Sequence, residues 1–170
     1  MYKRQSFRLC DGLSGIAPEE VDALVIAGMG GETITNILEA APWVKEKDFP
    51  IILQPMSTQA ELRGWLWRNG FLCLREKTVL EGETLYSIIL ARQGGAVPMT
   101  PAEEWAGRQY PGMEDPLRGL LLDHLLGRVR RALDGMARSR APAEARRREL
   151  EQVLEGLMEM RKEWDAWQQR

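Results

Sequence analysis

One stretch, residues 21–34, constrains the fold of this chain more than any other. Residues 23–27 form a short, continuous apolar run, which is typical of a strand buried on both faces of a parallel sheet. Gly28, Gly30 and Gly31 follow at once, and glycine allows positive φ angles and the close approach of another group. Apolar residues then recur at helical spacing after Glu32. The stretch therefore predicts a strand, a glycine turn and a helix.

Such a unit is a frequent ligand site in open α/β sheets, because its turn lies at the carboxyl end of the strand. The first turn of the helix supplies free N–H groups, and the glycines leave room for a ligand. The same unit also occurs where it only packs a helix tightly, so both interpretations stay open at this point. A dinucleotide-binding fingerprint is excluded, since Thr33 stands where its third glycine would be.

The following residues extend the sheet. Residues 49–55 form a second short apolar strand, and Ser57 is the predicted N-cap of a helix that ends near residue 69. Residues 71–80 and 84–92 are two strand-like runs separated by Glu-Gly-Glu, which predicts a hairpin. The order of elements is therefore a strand–helix repeat that closes with two antiparallel strands.

The amino-terminal residues are harder to place. Residues 6–10 predict a strand, and Asp11 and Gly12 follow it where a carboxylate can accept hydrogen bonds from a ligand; a plain Asp-Gly turn is at least as common. Residues 1–5 fit no element, and their back-translation matches the end sequence of a transposon used in sequencing libraries. We therefore expect the natural chain to continue upstream. Cys10 and Cys73 lack metal-ligand spacing, so we expect reduced, buried thiols.

The C-terminal third carries two heptad tracts. Their apolar residues are Leu122, Leu126, Val129, Leu133 and Met136, and then Leu150, Val153, Leu157, Met160, Trp164 and Trp167. Steps of three and four residues predict two antiparallel helices that share an apolar seam. Residues 93–116 are rich in Gly and Pro and predict a linker with a short helix over 101–107.

Arginine is concentrated in the same region. Residues 117–170 hold 12 Lys and Arg against 9 Asp and Glu, whereas residues 1–116 hold 11 against 16. The arginines along the first helix and around the hairpin tip are Arg118, Arg128, Arg130, Arg131, Arg138, Arg140, Arg146, Arg147 and Arg148. A solvated coiled-coil face explains such a pattern, and so does an arm that binds RNA phosphates.

The sequence lacks the residues that several other functions would require. No stretch of the sequence is long and apolar enough to span a membrane, and the first residues are too charged and too few for a signal peptide. There is no Ser/His/Asp or Cys/His set and no cluster with metal-ligand spacing. We therefore expect a cytoplasmic protein that binds no metal.

Five motifs together resemble the bacterial tRNA (adenine-22-N1)-methyltransferase family, which are class I enzymes that use S-adenosylmethionine. The motifs are Asp-Gly-Leu at 11–13, Ile-Ala-Gly-Met-Gly-Gly at 26–31, Leu-Gln-Pro at 53–55, Leu-Arg-Gly-Trp-Leu-Trp at 62–67, and Tyr86 after an acidic turn. The second and third motifs at this spacing are specific to the family in combination, whereas neither motif is specific alone. The resemblance covers residues 7–92 in detail and continues in architecture, because that family carries a C-terminal helical domain.

The resemblance implies a site and two partners, the methyl donor S-adenosylmethionine and tRNA. Its implied cofactor-binding residues are Asp11, Gly12, Ala27 and Gly28, and its implied catalytic residues are Gly28, Met29, Gly30, Gln54 and Pro55. The RNA-binding residues implied for the arm are Arg128, Arg131, Arg138, Arg140, Arg146, Arg147 and Arg148. Trp65, Trp67 and Tyr86 are able to stack on an extruded base, although their spacing favours core packing.

The sequence thus predicts an α/β fold, in which the C-terminal portion of a Rossmann-like class I methyltransferase sheet precedes an antiparallel, coiled-coil-like helical hairpin. The predicted division is a methyltransferase domain at 1–95, a linker at 96–116 and a basic hairpin at 117–170. The family's first glycine turn and its ribose-binding acid have no counterpart, so we expect these 170 residues alone to bind S-adenosylmethionine negligibly. Two alternatives stay open: a non-catalytic RNA-binding or coiled-coil module, and a class I methyltransferase with another substrate.

Overall fold

The structure is a computed structural model that describes residues 5–138 and 143–169. Its strands are β1 (Leu24–Gly30), β2 (Ile51–Ser57), β3 (Phe71–Glu81) and β4 (Thr84–Gln93). Its helices are α1 (Gly31–Glu39), α2 (Gln59–Arg68), α3 (Pro101–Ala106), α4 (Arg118–Arg138) and α5 (Glu144–Gln168). Short 3-10 turns at Pro18–Glu20 and Pro42–Lys45 precede β1 and β2.

The four strands form one mixed sheet in the order β1–β2–β4–β3. β1 and β2 are parallel and are connected through α1, with Leu24 opposite Ile51. β3 and β4 form the predicted antiparallel hairpin, and β4 also pairs antiparallel with β2. The strand–helix repeat and the closing hairpin are therefore confirmed. Because β1 lies at the end of this order, its outer side has no partner strand within the described residues.

One face of the sheet is covered by α1 and α2. Alternate strand residues such as Ile26, Leu53 and Ile89 are buried against these helices. Leu38 of α1 and Leu62 of α2 are fully buried in the same cluster. Each side chain of this size contributes about 1.5–3 kcal/mol when fully buried, so this face holds the main core of the α/β part.

The opposite face, which we call the open face, is exposed. Val25 and Ile52 are paired neighbours on this face, and their exposed fractions are 64% and 36%. Met56 and Val79 on the same face are also exposed. The prediction that the first strand is buried on both faces is therefore wrong for this chain, because a continuous apolar run does not reveal whether a second layer covers it.

The amino-terminal prediction is also wrong. The described residues before β1 form no strand, and Phe7 and Leu9 are almost completely exposed. Arg8 is instead held by a side-chain pair with Glu20. Cys10 is exposed rather than buried, since the segment that carries it does not join the sheet.

The helical hairpin forms as the heptads predict. Arg161 of α5 donates to Asp123 of α4 at 2.8 Å, which places the end of one helix beside the start of the other. The seam buries Leu122, Leu126, Val129, Leu150, Val153, Leu157, Met160 and Trp164. Leu133 and Met136, closer to the tip, are half-buried.

The segment predicted as a linker is packed between the two parts of the molecule. Ala102 and Ala106 of α3 are buried in the core of the hairpin. Thr100 caps α3 by accepting a hydrogen bond from the Glu103 N–H at 3.2 Å. The division of the chain into domains stays a prediction, but residues 96–116 contain α3, which packs into the hairpin core and contacts α2.

Two buried arginines hold the C-terminal end of α3 in place. Arg63 of α2 makes a bidentate pair with Glu76 and donates to the carbonyl oxygens of residues 104 and 105, both at 2.9 Å. Arg118 donates to the carbonyl oxygens of residues 106 and 107. These carbonyls lie at the C-terminal end of α3, where partial negative charge favours cations. Burial lowers the pKa of Arg118 to about 10.

Candidate active site and nucleic-acid surface

Residues 28–31, the predicted glycine turn, lie at the carboxyl end of β1 beside the end of β2; Gly28 and Gly30 belong to the strand, and Gly31 begins α1. Gly28 has φ +75°, which favours glycine because a Cβ would clash with its own backbone. The ladder between the two strands is irregular after Ala27, and the Gln54 side chain compensates by accepting the Gly28 N–H through its Oε1 at 2.8 Å. Of the three glycines, only Gly28 has a positive φ; Gly30 has φ −64°.

Gly31 is required for a different reason. A Cβ on Gly31 would lie 2.4 Å from the Thr58 carbonyl oxygen, so any side chain would force the two backbones apart. Thr58 itself has a left-handed backbone, with φ 49°, and its Oγ1 accepts the N–H of Glu32 at 3.2 Å. Thr58, not the predicted Ser57, is the N-cap residue of α2, and it makes no capping bond to its own helix.

The structure brings the five predicted catalytic residues together. Met29 is paired with Pro55, and Gln54 is bonded to Gly28 across the same strand ends. Gly30 completes the turn beside the Ser57 hydroxyl. A Cβ built on Gly28 would meet no atom within 4 Å, so open space lies in front of the turn. The catalytic roles of these residues stay predictions.

Gln54 also faces a shallow pocket of about 290 Å³ on the open face. Met56 and Tyr86 line this pocket with it, so the Tyr86 ring lies beside the strand ends. Trp65 stacks on Phe71 at 5.7 Å and belongs to the core, as its spacing favours. Of the three aromatic residues predicted to stack, Tyr86 lines the pocket with Gln54, and its contact with a base stays a prediction.

Asp11 and Gly12 are not joined to this turn. Gly12 packs against Ile37 in the second half of α1, where a Cβ would lie 3.1 Å from the isoleucine side chain. Asp11 is exposed, and within the described part of the chain no hydrogen bond connects its carboxylate to Gly28 or Gln54. Their assignment to the cofactor, like that of Ala27 beside Gln54, stays a prediction.

The arginines of α4 separate into two groups. Arg118 is buried at 1% exposure and is committed to the end of α3, so it is not part of an RNA-binding surface. Arg128 is exposed and stacks over the Trp105 ring, with its guanidinium carbon 5.4 Å from the ring centroid. Arg131 and Arg138 are exposed as well.

The arginines at the start of α5 are also exposed. Arg146 pairs with Glu149 at 2.8 Å, and Arg147 pairs with Glu151 at 2.9 Å. Arg148 makes a long contact to a backbone carbonyl of its own helix. Arg140, predicted in the same group, lies outside the described residues. Solvent-exposed pairs of this kind are weak, so these guanidinium groups are accessible to an anion.

A cleft lies between the first turn of α2, the end of α3 and the hairpin. Thr58 lines it before α2, Trp105 lines it from α3, and Arg128 and Arg146 line it from the two helices of the hairpin. Sequence reasoning missed Trp105, because it belongs to a short helix outside both heptad tracts. Its position one turn after the Thr100–Pro101 helix start was the available signal.

Within the described residues, no helix combines the length and apolarity that a membrane crossing requires. The same part of the chain has no group of three or more His, Cys, Asp or Glu side chains able to share a metal ion.

Residues 1–89 match the sequence profile of a family described as a methyltransferase domain. A tRNA (adenine(22)-N(1))-methyltransferase of Bacillus subtilis (strain 168) is 36% identical to this chain over 89 residues, which are 52% of the chain and 37% of the relative. The matched stretch thus spans little more than a third of the length of that curated relative.

Solved structures share the fold. Streptococcus pneumoniae Sp1610 superposes with a TM-score of 0.73 at 24% identity, over 91% of this chain and 68% of that one; it is also known in complex with S-adenosyl-L-methionine. The Bacillus subtilis M1A22 tRNA methyltransferase TrmK superposes with a TM-score of 0.65 at 24% identity, over 94% and 68%. The predicted fold class, a Rossmann-like sheet followed by a helical hairpin, is therefore confirmed.

Proposed function

Because this chain belongs to the methyltransferase domain family, we propose that it forms the target-base side of a site that methylates N1 of an adenine in tRNA. S-adenosylmethionine is the proposed methyl donor, since a structural neighbour has been solved with it. The proposed substrate follows from the relative, which is a tRNA (adenine(22)-N(1))-methyltransferase. With tRNA as the substrate, we expect the protein to act in the cytoplasm.

The contact that carries this proposal is the hydrogen bond between the Gly28 N–H and Gln54 Oε1. It fixes the ends of two parallel strands beside open space, where ligands of open α/β sheets bind. Met29 is exposed next to Gly28, and Gln54 also lines the pocket that contains Tyr86. These groups suit a planar, uncharged base that needs orientation more than charge.

The proposed reaction needs no protein nucleophile. When bound, the donor supplies an electrophilic sulfonium methyl group, which the lone pair of adenine N1 can attack directly. The protein residues then orient the base and exclude water, and orientation of this kind contributes at best about 7–11 kcal/mol to lowering a barrier. A site made of small residues, backbone groups and one amide is suited to this task.

An extruded base also requires the rest of the RNA to be held. The exposed arginines of the hairpin supply positive charge next to the strand ends, and phosphate contacts provide most of the affinity in such complexes. We therefore assign the sheet to the reacting base and the hairpin to the folded tRNA around it.

The experiment uses a chimera, because the matched stretch spans only 37% of the relative. The chain replaces the corresponding part of the Bacillus subtilis relative, and 1-methyladenosine in tRNA is measured by mass spectrometry. We expect donor-dependent formation of 1-methyladenosine by the chimera and none by the 170-residue chain alone. A folded chimera that leaves tRNA unmodified, or methylates another atom, would contradict the proposal.

Gln54→Leu tests the site within this chimera. The substitution removes the acceptor of the Gly28 N–H, and a misplacement of about 1 Å costs about a hundredfold in rate. Gln152→Leu on the exposed surface of α5 is the matched control and should leave the rate unchanged. Equal rates for the two variants would remove Gln54 from the site.

A further inference from the structure

We propose that the cleft between the start of α2 and the hairpin binds backbone phosphates of the nucleotides that flank the target base. This rests on the proposed function and adds to it a specific contact between the RNA backbone and two of the exposed arginines. The cleft is lined by residues 58–61 at the start of α2 and by Trp105, Leu125, Arg128 and Arg146.

The charge of the cleft suits an anion. Arg128 and Arg146 contribute two guanidinium groups from two different helices, whereas Glu61 contributes the one carboxylate among the lining residues. Guanidinium groups match phosphate geometry, because they present several N–H donors in a planar fork. The lining therefore has a net positive charge, with donors from both helices of the hairpin.

Trp105 keeps one of these groups in place. The guanidinium carbon of Arg128 lies 5.4 Å from the centre of its ring, a stacked arrangement that leaves the N–H edge of the guanidinium free to donate. Arg146 uses Nη1 to pair with Glu149 at 2.8 Å, and both side chains of that pair are about half exposed. An exposed pair of this kind is weak enough to be exchanged for a phosphate.

The position of the cleft indicates which phosphates it receives. Thr58 lines it, and the carbonyl oxygen of Thr58 lies against Gly31 while its hydroxyl accepts the N–H of Glu32. The cleft thus begins at the residue that contacts the glycine turn. An RNA strand whose base enters the space beside Gly28 must place its neighbouring phosphates close to this end of α2.

Two other cationic residues provide an internal comparison. Arg130 of α4 and Lys162 of α5 are exposed, but neither lines the cleft. The pair Arg130 and Lys162 therefore matches Arg128 and Arg146 in helix and total charge. A bulk electrostatic effect of the hairpin would treat the two pairs alike, whereas a localised site would not.

The first test measures tRNA binding by the 170-residue chain with fluorescence anisotropy over a range of salt concentrations. R128Q/R146Q should flatten the log–log slope by about 1.4–1.8, because each lost phosphate contact accounts for about 0.7–0.9. At 0.15 M salt this corresponds to binding about 20-fold weaker. R130Q/K162Q should weaken binding less than about threefold. Equal losses in the two double variants would overturn the proposal.

The second test locates the phosphates. A neutral methylphosphonate replaces the phosphate on either side of the methylated adenine, and its effect is measured with the unsubstituted chain and with R128Q/R146Q. We expect the replacement to weaken binding to the unsubstituted chain about fivefold and to have no further effect on R128Q/R146Q. Additive losses in affinity would overturn the proposed phosphate site, but they would not contradict the proposed methylation of tRNA. Absence of tRNA binding by the unsubstituted chain would contradict the proposed function itself.

Discussion

The junction between the sheet and the hairpin and the outer surface of the hairpin use the same residue type in opposite ways. At the junction, Arg63 and Arg118 are fully buried and give their donors to Glu76 and to the backbone of α3. On the outer surface, Arg146 and Arg147 are about half exposed and pair only with carboxylates of their own helix. The comparison shows that burial, not charge count, separates arginines that hold the fold from those available to a ligand.

The largest expected effect is the difference in reactivity between the Cys73 thiol beside Glu76 at the junction and the Cys10 thiol in the exposed amino-terminal segment. Burial and the neighbouring Glu76 raise the pKa of the Cys73 thiol to about 12, so about one in ten thousand Cys73 side chains is a thiolate at pH 8. Cys10 is exposed. Iodoacetamide at pH 8 should therefore alkylate Cys10 at least a thousandfold faster than Cys73, as followed by mass spectrometry of the peptides. Comparable rates would show that the junction is open.

Arg63→Met should give the next largest effect. It leaves the Glu76 carboxylate without its bidentate partner at a position where the Arg63 side chain is 1% exposed, and breaking a buried pair costs about 3–5 kcal/mol. The free energy of unfolding, measured with urea, is the readout. Combining Arg63→Met with Glu76→Leu should recover part of the loss, since no buried charge is then left unpaired. A loss below about 1 kcal/mol for the single variant would contradict the role of this pair.

Arg118→Met should lower the free energy of unfolding less than Arg63→Met does. It removes donors to the carbonyl oxygens of residues 106 and 107, and unsatisfied buried acceptors cost about 1–3 kcal/mol. Arg118→Lys should retain only part of that stability, because an ammonium group does not present the planar fork. The native guanidinium has a lowered pKa of about 10. Its contribution to the free energy of unfolding should therefore rise above pH 10, where the unfolded chain binds more protons than the folded one.

Arg147→Gln should have the smallest effect on stability. The substitution removes an exposed i,i+4 pair with Glu151, and such pairs contribute about 0.3–0.5 kcal/mol. The midpoint of urea unfolding should hardly change. A loss as large as that expected for Arg118→Met would mean that the outer arginines also hold the fold, which would remove the distinction between the two regions.

Sequence periodicity predicted the helical hairpin and the closing strands because all the residues that define each of these patterns lie close together in the sequence. The steps from Leu122 to Val129 define a seam that the second helix fills. The run over β1 also predicted a strand, but a strand's own residues do not show whether another layer covers its second face. Val25 is exposed for that reason.

The parts that sequence reasoning missed depend on contacts between distant segments. Arg63 and Arg118 are separated by 55 positions, and only the packed position of α3 shows that both are structural. Thr58 was missed as the partner of Gly31, because a left-handed threonine carries no sequence signal. The glycine turn was predicted correctly as a place of close approach, but the approaching group at Gly31 is the chain itself.

Hydrogen–deuterium exchange of the 170-residue chain with and without tRNA tests the central claim, that the strand ends and the hairpin arginines form one RNA surface. We predict that tRNA slows exchange in peptides covering the start of α2 and in peptides covering Arg128 and Arg146, while the turn at Pro42–Lys45, which does not line the cleft, stays unchanged. Protection of the hairpin without any change at the start of α2 would contradict the claim. It would show that the arm binds RNA independently of the strand ends.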